Sequence, residues 1–229
     1  MGRWVPVGCA HEEGRRSHDP RGSRGYAQGC SLVRDKYRAV FAADIEPHPD
    51  FFVLARSGPD AAAPAAVAGL TFADNGTLFS ERYLDAPIES LISAQEGASV
   101  PRSGIMEIGS LASTELHAGA ELMRSLPMLA WCLGQRYAIC TATHQVRRMF
   151  SKLDMEFIAL GAAGIDRLAP GAQTNWGDYY SKQPMTGYAC IARMSRVFAA
   201  ATGRYRLDGI VLNRLPGAQH AEERHLEAA

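Results

Sequence analysis

The sequence lacks the features that mark membrane-spanning, disulfide-linked and zinc-binding proteins. It contains no run of about 18 apolar residues, the length that a transmembrane helix needs. It contains no C-x-x-C, H-x-x-x-H or H-E-x-x-H pattern, so we expect no bound metal. The cysteines are odd in number, which favours a reducing cytoplasm over a disulfide framework. Cys132 and Cys140 lie among apolar residues, and we predict that both are buried thiols.

An excess of charge of either sign is also missing. Lys and Arg total 24, Asp and Glu total 24, and the formal net charge is zero. A protein that binds nucleic acid through its overall charge is therefore not expected. Residues 1–28 are rich in Arg, Gly, His and Glu, without the apolar core of a secretory signal. We predict a flexible leader over 1–28, one domain over 29–215, a polar tail over 216–229, and a cytoplasmic location without stable membrane insertion.

The hydrophobic pattern of the body predicts an α/β fold. A helical face begins near Ser31, and two strands near 51–55 and 65–73 flank a Gly- and Pro-containing turn, as in an antiparallel hairpin. Strands are then predicted at 105–113, 137–143, 157–161 and 184–192. Helices are predicted at 87–93, at 116–133 with an interruption at Pro127 and a stop at Gly134, and at 145–153. This order indicates a mixed, mostly antiparallel central sheet flanked by helices.

Several motifs in this body resemble the thermostable hemolysin family. They are residues 78–89 (LFSERYLDAPIE), 107–113 (EIGSLAS), 141–143 (TAT) and 176–180 (WGDYY), with Pro184 downstream. The first two together are the specific signal, and the resemblance spans roughly residues 31–190. The family's fold is similar to the GNAT superfamily, and more closely to its acyl-homoserine lactone synthase branch. The resemblance implies acyl transfer from a thioester, on acyl carrier protein or coenzyme A, to an amine, with no cofactor bound.

One departure from an ordinary GNAT enzyme bears on the donor. The loop after the central strand usually carries Arg/Gln-x-x-Gly-x-Gly/Ala, whose amides cradle a pyrophosphate at a helix N-terminus. Here residues 113–123 contain a single glycine, Gly119, and two acids, Glu115 and Glu121. Negative charge beside a pyrophosphate is unfavourable. A phosphopantetheine arm on a carrier protein needs no such cradle, so acyl-phosphopantetheine is favoured over acyl-CoA as co-substrate.

Glu107 is the candidate general base. Aminolysis of a thioester requires removal of a proton from the amine, and a carboxylate in a cleft serves if burial raises its pKa. Strand alternation places Glu107 on the face opposite Met106 and Ile108. The alternative is a glutamate at the rim of the cleft, paired with an arginine such as Arg102. The small residues after it favour close approach of a pantetheine arm, or simply tight helix packing; the candidates to contact the arm are Ser110, Leu111, Ala112 and Ser113.

Other candidates for substrate binding come from the remaining motifs. Asp85 either holds a substrate ammonium group or caps the helix near Pro87. Tyr179 is a candidate to protonate the leaving thiolate, although aromatic residues at such spacing also build core or wall. The resemblance adds Arg34 and Tyr37, because enzymes of that branch open with a helix that combines an arginine with aromatic residues. The further candidates for the substrate cleft are Tyr83, Thr141, Thr143, His144, Trp176 and Tyr180.

A basic patch is a candidate surface for docking an acidic carrier protein. Its residues are Arg124, Arg147, Arg148 and Lys152. The alternative is a solvated helix face. For the whole chain, an N-acyltransferase competes with a membrane-active cytolysin, which the family name suggests, and with a catalytically inactive GNAT-like binding module, which the degenerate pyrophosphate loop suggests. Neither an amphipathic membrane segment nor a signal peptide supports the cytolysin.

Overall fold

The computed structural model of the chain describes residues 23–57 and 61–202. The polar tail predicted at 216–229 and most of the leader predicted at 1–28 lie outside these residues. The first helix, α1 (Arg24–Phe41), begins inside that leader, because Ser23 caps it by accepting a hydrogen bond from the backbone N–H of Tyr26. Tyr26 is itself buried, and its hydroxyl donates to the carbonyl of Pro49. Residues 24–28 are therefore helical.

The centre of the fold is one six-stranded sheet with the order β1-β2-β3-β4-β6-β5. Every neighbouring pair is antiparallel except β3 and β4. This confirms the mixed, mostly antiparallel sheet predicted from the sequence. The strands are β1 (Phe51–Ala55), β2 (Ala66–Phe72), β3 (Ile105–Ser113), β4 (Tyr137–Ala142), β5 (Ile158–Ala162) and β6 (Met185–Cys190).

Helices cover both faces of the sheet. Besides α1 they are α2 (Ile88–Glu96), α3 (Leu116–Cys132), α4 (His144–Lys152), α5 (Pro170–Gln173) and α6 (Ser195–Ala201). The predicted interruption of α3 at Pro127 is wrong, because the helix continues through this residue. Pro127 is buried beside Leu126 and Ala130, and packing of this apolar face outweighs the lost backbone hydrogen bond. The helix is followed by Gly134 in the left-handed conformation, as predicted.

Two apolar layers fill the space between the helices and the sheet. The layer under α3 and α4 contains Leu70, Met106, Leu126 and Phe150. The opposite face of the sheet packs against α2, and against α1 through a separate group of small side chains. Cys140 is buried as predicted, whereas Cys132, at the end of α3, is partly exposed. Among the described helices, none is long and apolar enough to cross a membrane.

Strands β3 and β4 diverge near the middle of the sheet. Their parallel ladder ends at the pair Glu107 and Ile139, although both strands continue. Just beyond this point β3 has a bulge against β2, where Ser110 adopts a positive φ of 50°. The divergence leaves a gap between the two strands on the carboxyl side of Glu107. We call this space the β3–β4 gap.

Arg102 fixes the segment that lies above the β3–β4 gap. Its guanidinium donates from Nε to the carbonyl of Ala73, from Nη2 to the carbonyl of Gly76, and to both carboxylate oxygens of Glu81. Its Nη1 also donates a hydrogen bond to Oε2 of Glu89 on α2, at 2.7 Å. All of the N–H donors of an arginine are thereby used.

Glu81 carries this support on to the backbone. Its carboxylate also accepts the N–H groups of Leu78 and Ile88, so that it ties the 3₁₀ turn Phe79–Tyr83 to the start of α2. We call this 3₁₀ segment the Phe79 turn. Arg102 thus holds the Phe79 turn through Glu81, and the alternative in which Arg102 pairs with Glu107 is not what the structure shows.

Gly177 allows α1 to dock against the segment after α5. It adopts a φ of 47°, and a Cβ atom here would overlap the carbonyl oxygen of Phe41 at the end of α1. The next residue, Asp178, donates its N–H to the same carbonyl at 2.7 Å. The close backbone contact therefore requires glycine.

We predict that Arg102→Ala destabilises the protein by about 2–3 kcal/mol, because it leaves Glu81 without its cation while that side chain is only 9% exposed. Arg167→Ala is the control, since the Arg167–Asp85 pair is far more exposed and is worth under about 1 kcal/mol. Urea unfolding followed by circular dichroism measures both. Equal losses in the two variants would contradict the structural role of Arg102.

The ion pair between Arg102 and Glu81 also predicts how the stability of the protein depends on pH. Burial raises the pKa of Glu81, but hydrogen bonds from Arg102 and from two backbone N–H groups outweigh it, and the net effect lowers the pKa. A lowered folded-state pKa stabilises the protein above the unfolded value of about 4.3, and this contribution is lost as the pH falls through the folded-state pKa. The difference in unfolding free energy between wild type and Arg102→Ala should therefore become smaller below about pH 4. A difference in unfolding free energy that stays constant from pH 7 to pH 3 would contradict this prediction.

We predict that Gly177→Ala lowers stability by at least about 2 kcal/mol, because it adds both backbone strain and a clash with the Phe41 carbonyl. Gly171→Ala is the matched control: it lies in α5, where a Cβ atom meets nothing within 4 Å, and alanine favours a helix. Thermal unfolding should separate the two variants. If Gly177→Ala unfolds like wild type, the tight docking of α1 is not needed.

Candidate functional site

The side chain of Glu107 points to the same face of the sheet as the Phe79 turn. Because strand residues alternate, Met106 and Ile108 point to the other face, into the layer under α3, as predicted. Glu107 is only 7% exposed. Its Oε2 accepts the N–H of Phe79 at 2.8 Å, and its Oε1 accepts the N–H of Ser80 at 3.0 Å. The first N–H groups of the turn, which have no partner within the turn, are thereby satisfied.

The environment of Glu107 makes it more basic than an ordinary carboxylate. Burial raises its pKa, and the hydrogen bonds from Ser80 and Phe79 lower it, with the net effect upward. The nearby carboxylate of Glu81 raises the pKa further. Proton acceptance by the carboxylate is therefore favoured.

Hydroxyl groups extend from Glu107 across the sheet. The Oγ of Ser80 donates to Glu107 Oε1 at 2.5 Å, and the same Oγ lies 2.8 Å from Oγ1 of Thr141 on β4. Thr141 Oγ1 in turn lies 2.8 Å from Oγ1 of Thr186 on β6. Ser80 and Thr186 are fully buried, while Thr141 is half-buried. We call Ser80, Thr141 and Thr186 the hydroxyl chain.

Tyr179 joins this chain to a group of aromatic rings. Its hydroxyl donates to the backbone carbonyl of Thr141 at 3.3 Å, and its ring stacks on Tyr37 of α1 with centroids 6.0 Å apart. Burial raises the pKa of Tyr179 well above its usual range and that of Tyr37 to about 12, so both remain neutral phenols. Seven side chains in mutual contact form what we call the aromatic cluster: Tyr37, Phe41, Phe79, Tyr83, Trp176, Tyr179 and Tyr180.

The aromatic cluster also contacts the Phe79 turn. Trp176 packs on Phe79 at a centroid distance of 5.5 Å, and the hydroxyl groups of Tyr83 and Tyr180 are 2.5 Å apart. Burial and this hydrogen bond to Tyr180 raise the pKa of Tyr83. The cluster thus forms one wall beside Glu107, built from α1, the Phe79 turn and residues 176–180.

Two of the predicted substrate-binding residues are occupied elsewhere. Arg34 forms an exposed ion pair with Glu46 at 2.8 Å. Asp85 forms an ion pair with Arg167, and its side chain is 86% exposed. The proposed role of Asp85 as a helix cap is wrong, because α2 has Pro87 at its N-cap position and no capping side chain. The cap is unnecessary since Glu81 already accepts the N–H of Ile88.

The predicted contact residues of β3 lie around its bulge. Ser110 is half-buried, and Leu111 packs towards the layer under α3. Ala112 is buried beneath α1, against Val33 and Val67. The last residue, Ser113, is half-buried at the end of the strand. The residues nearest the β3–β4 gap on this strand are therefore those at the bulge.

The start of α4 holds the other predicted cleft residues. Thr143 caps the helix by accepting the N–H of Val146, and His144 is exposed in the first turn.

Of the residues predicted to form the basic patch, Arg148 and Lys152 are exposed one helical turn apart. Arg147, half-buried, donates to the carbonyl of Gln183 at 3.4 Å. Arg124 differs from these, because it lies on α3 and pairs with Glu121.

The structure adds residues that the sequence analysis did not single out. They are Phe79 and Ser80, which bind Glu107, and Thr186 at the end of the hydroxyl chain. Ser80 lies within the motif at 78–89, and this motif was the sequence signal that could have identified it. The geometry combines a buried carboxylate, a chain of hydroxyl groups and a gap between strands, which is an arrangement able to accept a proton from a bound group.

Two solved structures resemble this chain over most of its length. BjaI, a CoA-dependent acyl-homoserine lactone synthase with SAM and isopentyl-CoA, is 13% identical, with a TM-score of 0.51 over 87% of this chain and 90% of that chain. TofI, in a ternary complex with an inhibitor and MTA, is 15% identical, with a TM-score of 0.50 over 80% and 94%. Both likenesses are of fold, and they agree with the predicted mixed, mostly antiparallel sheet flanked by helices.

A third structure, FeeM, is an N-acyl amino acid synthase from uncultured soil microbes. It is 13% identical, with a TM-score of 0.49 over 73% of this chain and 86% of that chain. No curated protein matches the sequence significantly.

The sequence itself decides the family. The family model described as thermostable hemolysin matches residues 20–194. This range includes the motifs at 78–89 and 107–113 and confirms the resemblance on which they were singled out. The protein belongs to the thermostable hemolysin family.

Proposed function

We propose that the protein is an N-acyltransferase, which moves an acyl group from a thioester to an amine or amino-acid acceptor. Glu107 is the general base, and the thioester arm lies in the β3–β4 gap. The observation that carries the proposal is the placement of a buried carboxylate of raised pKa at the last paired position before the two strands diverge. In BjaI, the same fold accommodates isopentyl-CoA and SAM.

The β3–β4 gap suits an extended arm. Beyond Glu107, β3 keeps its ladder with β2 but has no described ladder partner on the β4 side. Backbone N–H and C=O groups on that side are available to a pantetheine arm, which carries amide groups of its own. A backbone N–H near the bulge at Ser110 is also suited to stabilise the oxyanion of a thioester carbonyl.

The start of α3 argues for a carrier-protein donor. Its N-cap residue is Glu115, whose carboxylate accepts a hydrogen bond from Ser57 at 3.2 Å. A carboxylate at this helix terminus repels the pyrophosphate of coenzyme A. The exposed Arg148 and Lys152 on α4 provide positive charge for an acidic carrier protein.

A small apolar cavity of about 30 Å³ lies on the other side of β4. It lies between α3, α4 and the sheet, and Met123, Leu126, Phe150 and Cys140 line it. Cys140 and Thr141 are consecutive on β4, so that one faces the pocket and the other faces the hydroxyl chain. An acyl chain that enters beside Thr141 would occupy this apolar layer only if the lining side chains moved apart, because the cavity is too small to hold it.

Tyr179 serves as a hydrogen-bond donor in this scheme. Because its pKa lies well above that of a thiol, about 8.5, complete transfer of its proton to the leaving thiolate is unfavourable. A neutral phenol can instead stabilise negative charge on the sulfur or on the carbonyl oxygen, once its single hydrogen turns from the Thr141 carbonyl towards the substrate. The lytic activity in the family name would follow if the product is a surfactant lipid.

We predict that Glu107→Gln lowers transfer by about 10²–10⁴-fold, because glutamine cannot accept the proton. The assay incubates the protein with an acyl thioester of pantetheine, of carrier protein or of coenzyme A, together with a panel of amines. It follows the release of the free thiol. Asp85→Asn is the control, since Asp85 is exposed and outside the cluster around Glu107. Binding of pantetheine thioesters without any thiol release by the wild type would favour the inactive binding module.

We predict that activity rises with pH through the raised pKa of Glu107, because only the ionised carboxylate accepts a proton. The acidic limb of the pH–rate profile should lie above the usual carboxylate value of about 4.3. This limb should be missing in Glu107→Gln. A limb at the ordinary value in the wild type would argue against a buried base.

We predict that red-cell lysis requires an acyl thioester and an amine together with the wild-type protein, and fails with Glu107→Gln. Lysis without substrates, or leakage from liposomes caused equally by both proteins, would favour a cytolysin. The measurement is haemoglobin release, with the reaction mixture extracted in parallel for the N-acyl product.

A further inference from the structure

Glu107 is nearly enclosed, so a substrate in the β3–β4 gap has little direct access to its carboxylate. Its Oε2 is bound by the N–H of Phe79, and its Oε1 is bound by both the N–H and the Oγ of Ser80. The side chain is 7% exposed. This enclosure favours proton transfer through an intermediary that reaches the gap.

The hydroxyl chain has one consistent direction. A hydroxyl group has a single hydrogen, and that of Ser80 is used in its bond to Glu107. In the contact of 2.8 Å between Ser80 and Thr141, Thr141 is therefore the donor. By the same argument, Thr186 donates to Thr141 across their contact of 2.8 Å. Every hydroxyl hydrogen in the chain points towards the carboxylate of Glu107.

Thr141 is the member of the chain that reaches the gap. It is half-buried, whereas Ser80 and Thr186 are fully buried. It lies two residues beyond Ile139, where the parallel ladder with β3 ends. Its Oγ1 has two lone pairs, of which one accepts from Thr186. The other remains for a donor that enters the gap.

We propose that the hydroxyl group of Thr141 takes the proton from the acceptor amine, and that Ser80 passes a proton on to Glu107. This inference rests on the proposed function. As the amine nitrogen bonds to the thioester carbon, its proton moves to Thr141 Oγ1, the Thr141 proton moves to Ser80 Oγ, and the Ser80 proton moves to Glu107 Oε1. The steps are concerted, so no hydroxyl group becomes a free alkoxide.

The proton returns when the tetrahedral intermediate collapses. The C–S bond breaks, its electron pair goes to sulfur, and the proton on Glu107 moves back through Ser80 and Thr141 to the thiolate. The amine has then lost one proton, the thiol has gained one, and the three side chains are restored. Thr186 lies outside this path and acts as a positioning residue, because it only orients Thr141.

Four variants separate this relay from a merely structural role. Thr141→Val and Ser80→Ala remove the hydroxyl groups in the path, and each should lower kcat by about 10²-fold or more. Thr141→Ser keeps a hydroxyl group and should restore kcat to within about tenfold of wild type. Thr186→Val removes a buried hydroxyl group of the same chain outside the path, and its loss should stay within about tenfold.

Two further measurements make the test sharp. The double variant Ser80→Ala/Thr141→Val should be no slower than either single variant, because one break already stops the relay. A proton inventory in mixtures of H₂O and D₂O should show more than one proton in flight for the wild type, and a linear dependence for Ser80→Ala. Circular dichroism confirms that each variant is folded.

The outcomes distinguish this inference from the proposed function. If the wild type transfers acyl groups and Glu107→Gln does not, but Thr141→Val keeps the wild-type kcat, the relay is wrong and the acyltransferase stands. Failure of Thr141→Ser to restore kcat would also overturn the relay. If the wild type releases no thiol with any donor and amine, the proposed function itself fails.

Discussion

The binding of one carboxylate by the first N–H groups of a short turn is the interaction on which the site depends. Glu107 comes from the centre of the sheet, and Phe79 and Ser80 come from a segment separated from it by 27–28 residues. Burying a carboxylate is costly unless hydrogen bonds compensate, and here backbone donors supply them. The donors to Glu107 are uncharged N–H and hydroxyl groups and not an arginine. They stabilise the buried carboxylate, and its pKa still remains raised.

The ionic support of this arrangement lies one step away from the carboxylate. Arg102 satisfies Glu81 and Glu89, and Glu81 positions the backbone that binds Glu107. A direct contact between Arg102 and Glu107 would have lowered the pKa of the base. The separation lets one charge pair provide rigidity while the candidate base keeps a raised pKa.

The six strands and the four longest helices were predictable from the sequence, because hydrophobic periodicity and stop signals such as Gly134 are local, whereas α5, α6 and the Phe79 turn were not predicted. The placement of Glu107 on the face opposite Met106 followed from alternation alone, whereas its burial did not. The partners of Glu107 were not predictable, since an ordinary serine such as Ser80 gains its role only when a distant turn docks on the sheet. The expectation for Asp85 was wrong for a different reason: local cap chemistry favoured it, but Glu81, seven residues before Ile88, already satisfies that helix start.

The bulge in β3 changes which side chains share a face of the sheet. Before it, odd-numbered positions such as Glu107 face α2 and the Phe79 turn; after it, the even-numbered Ala112 faces α1 on that same side, and Leu111 turns to the layer under α3. One inserted residue thus resets the parity of the strand. Without it, a leucine side chain would stand in line with the glutamate, where the opening between the parallel strands now begins.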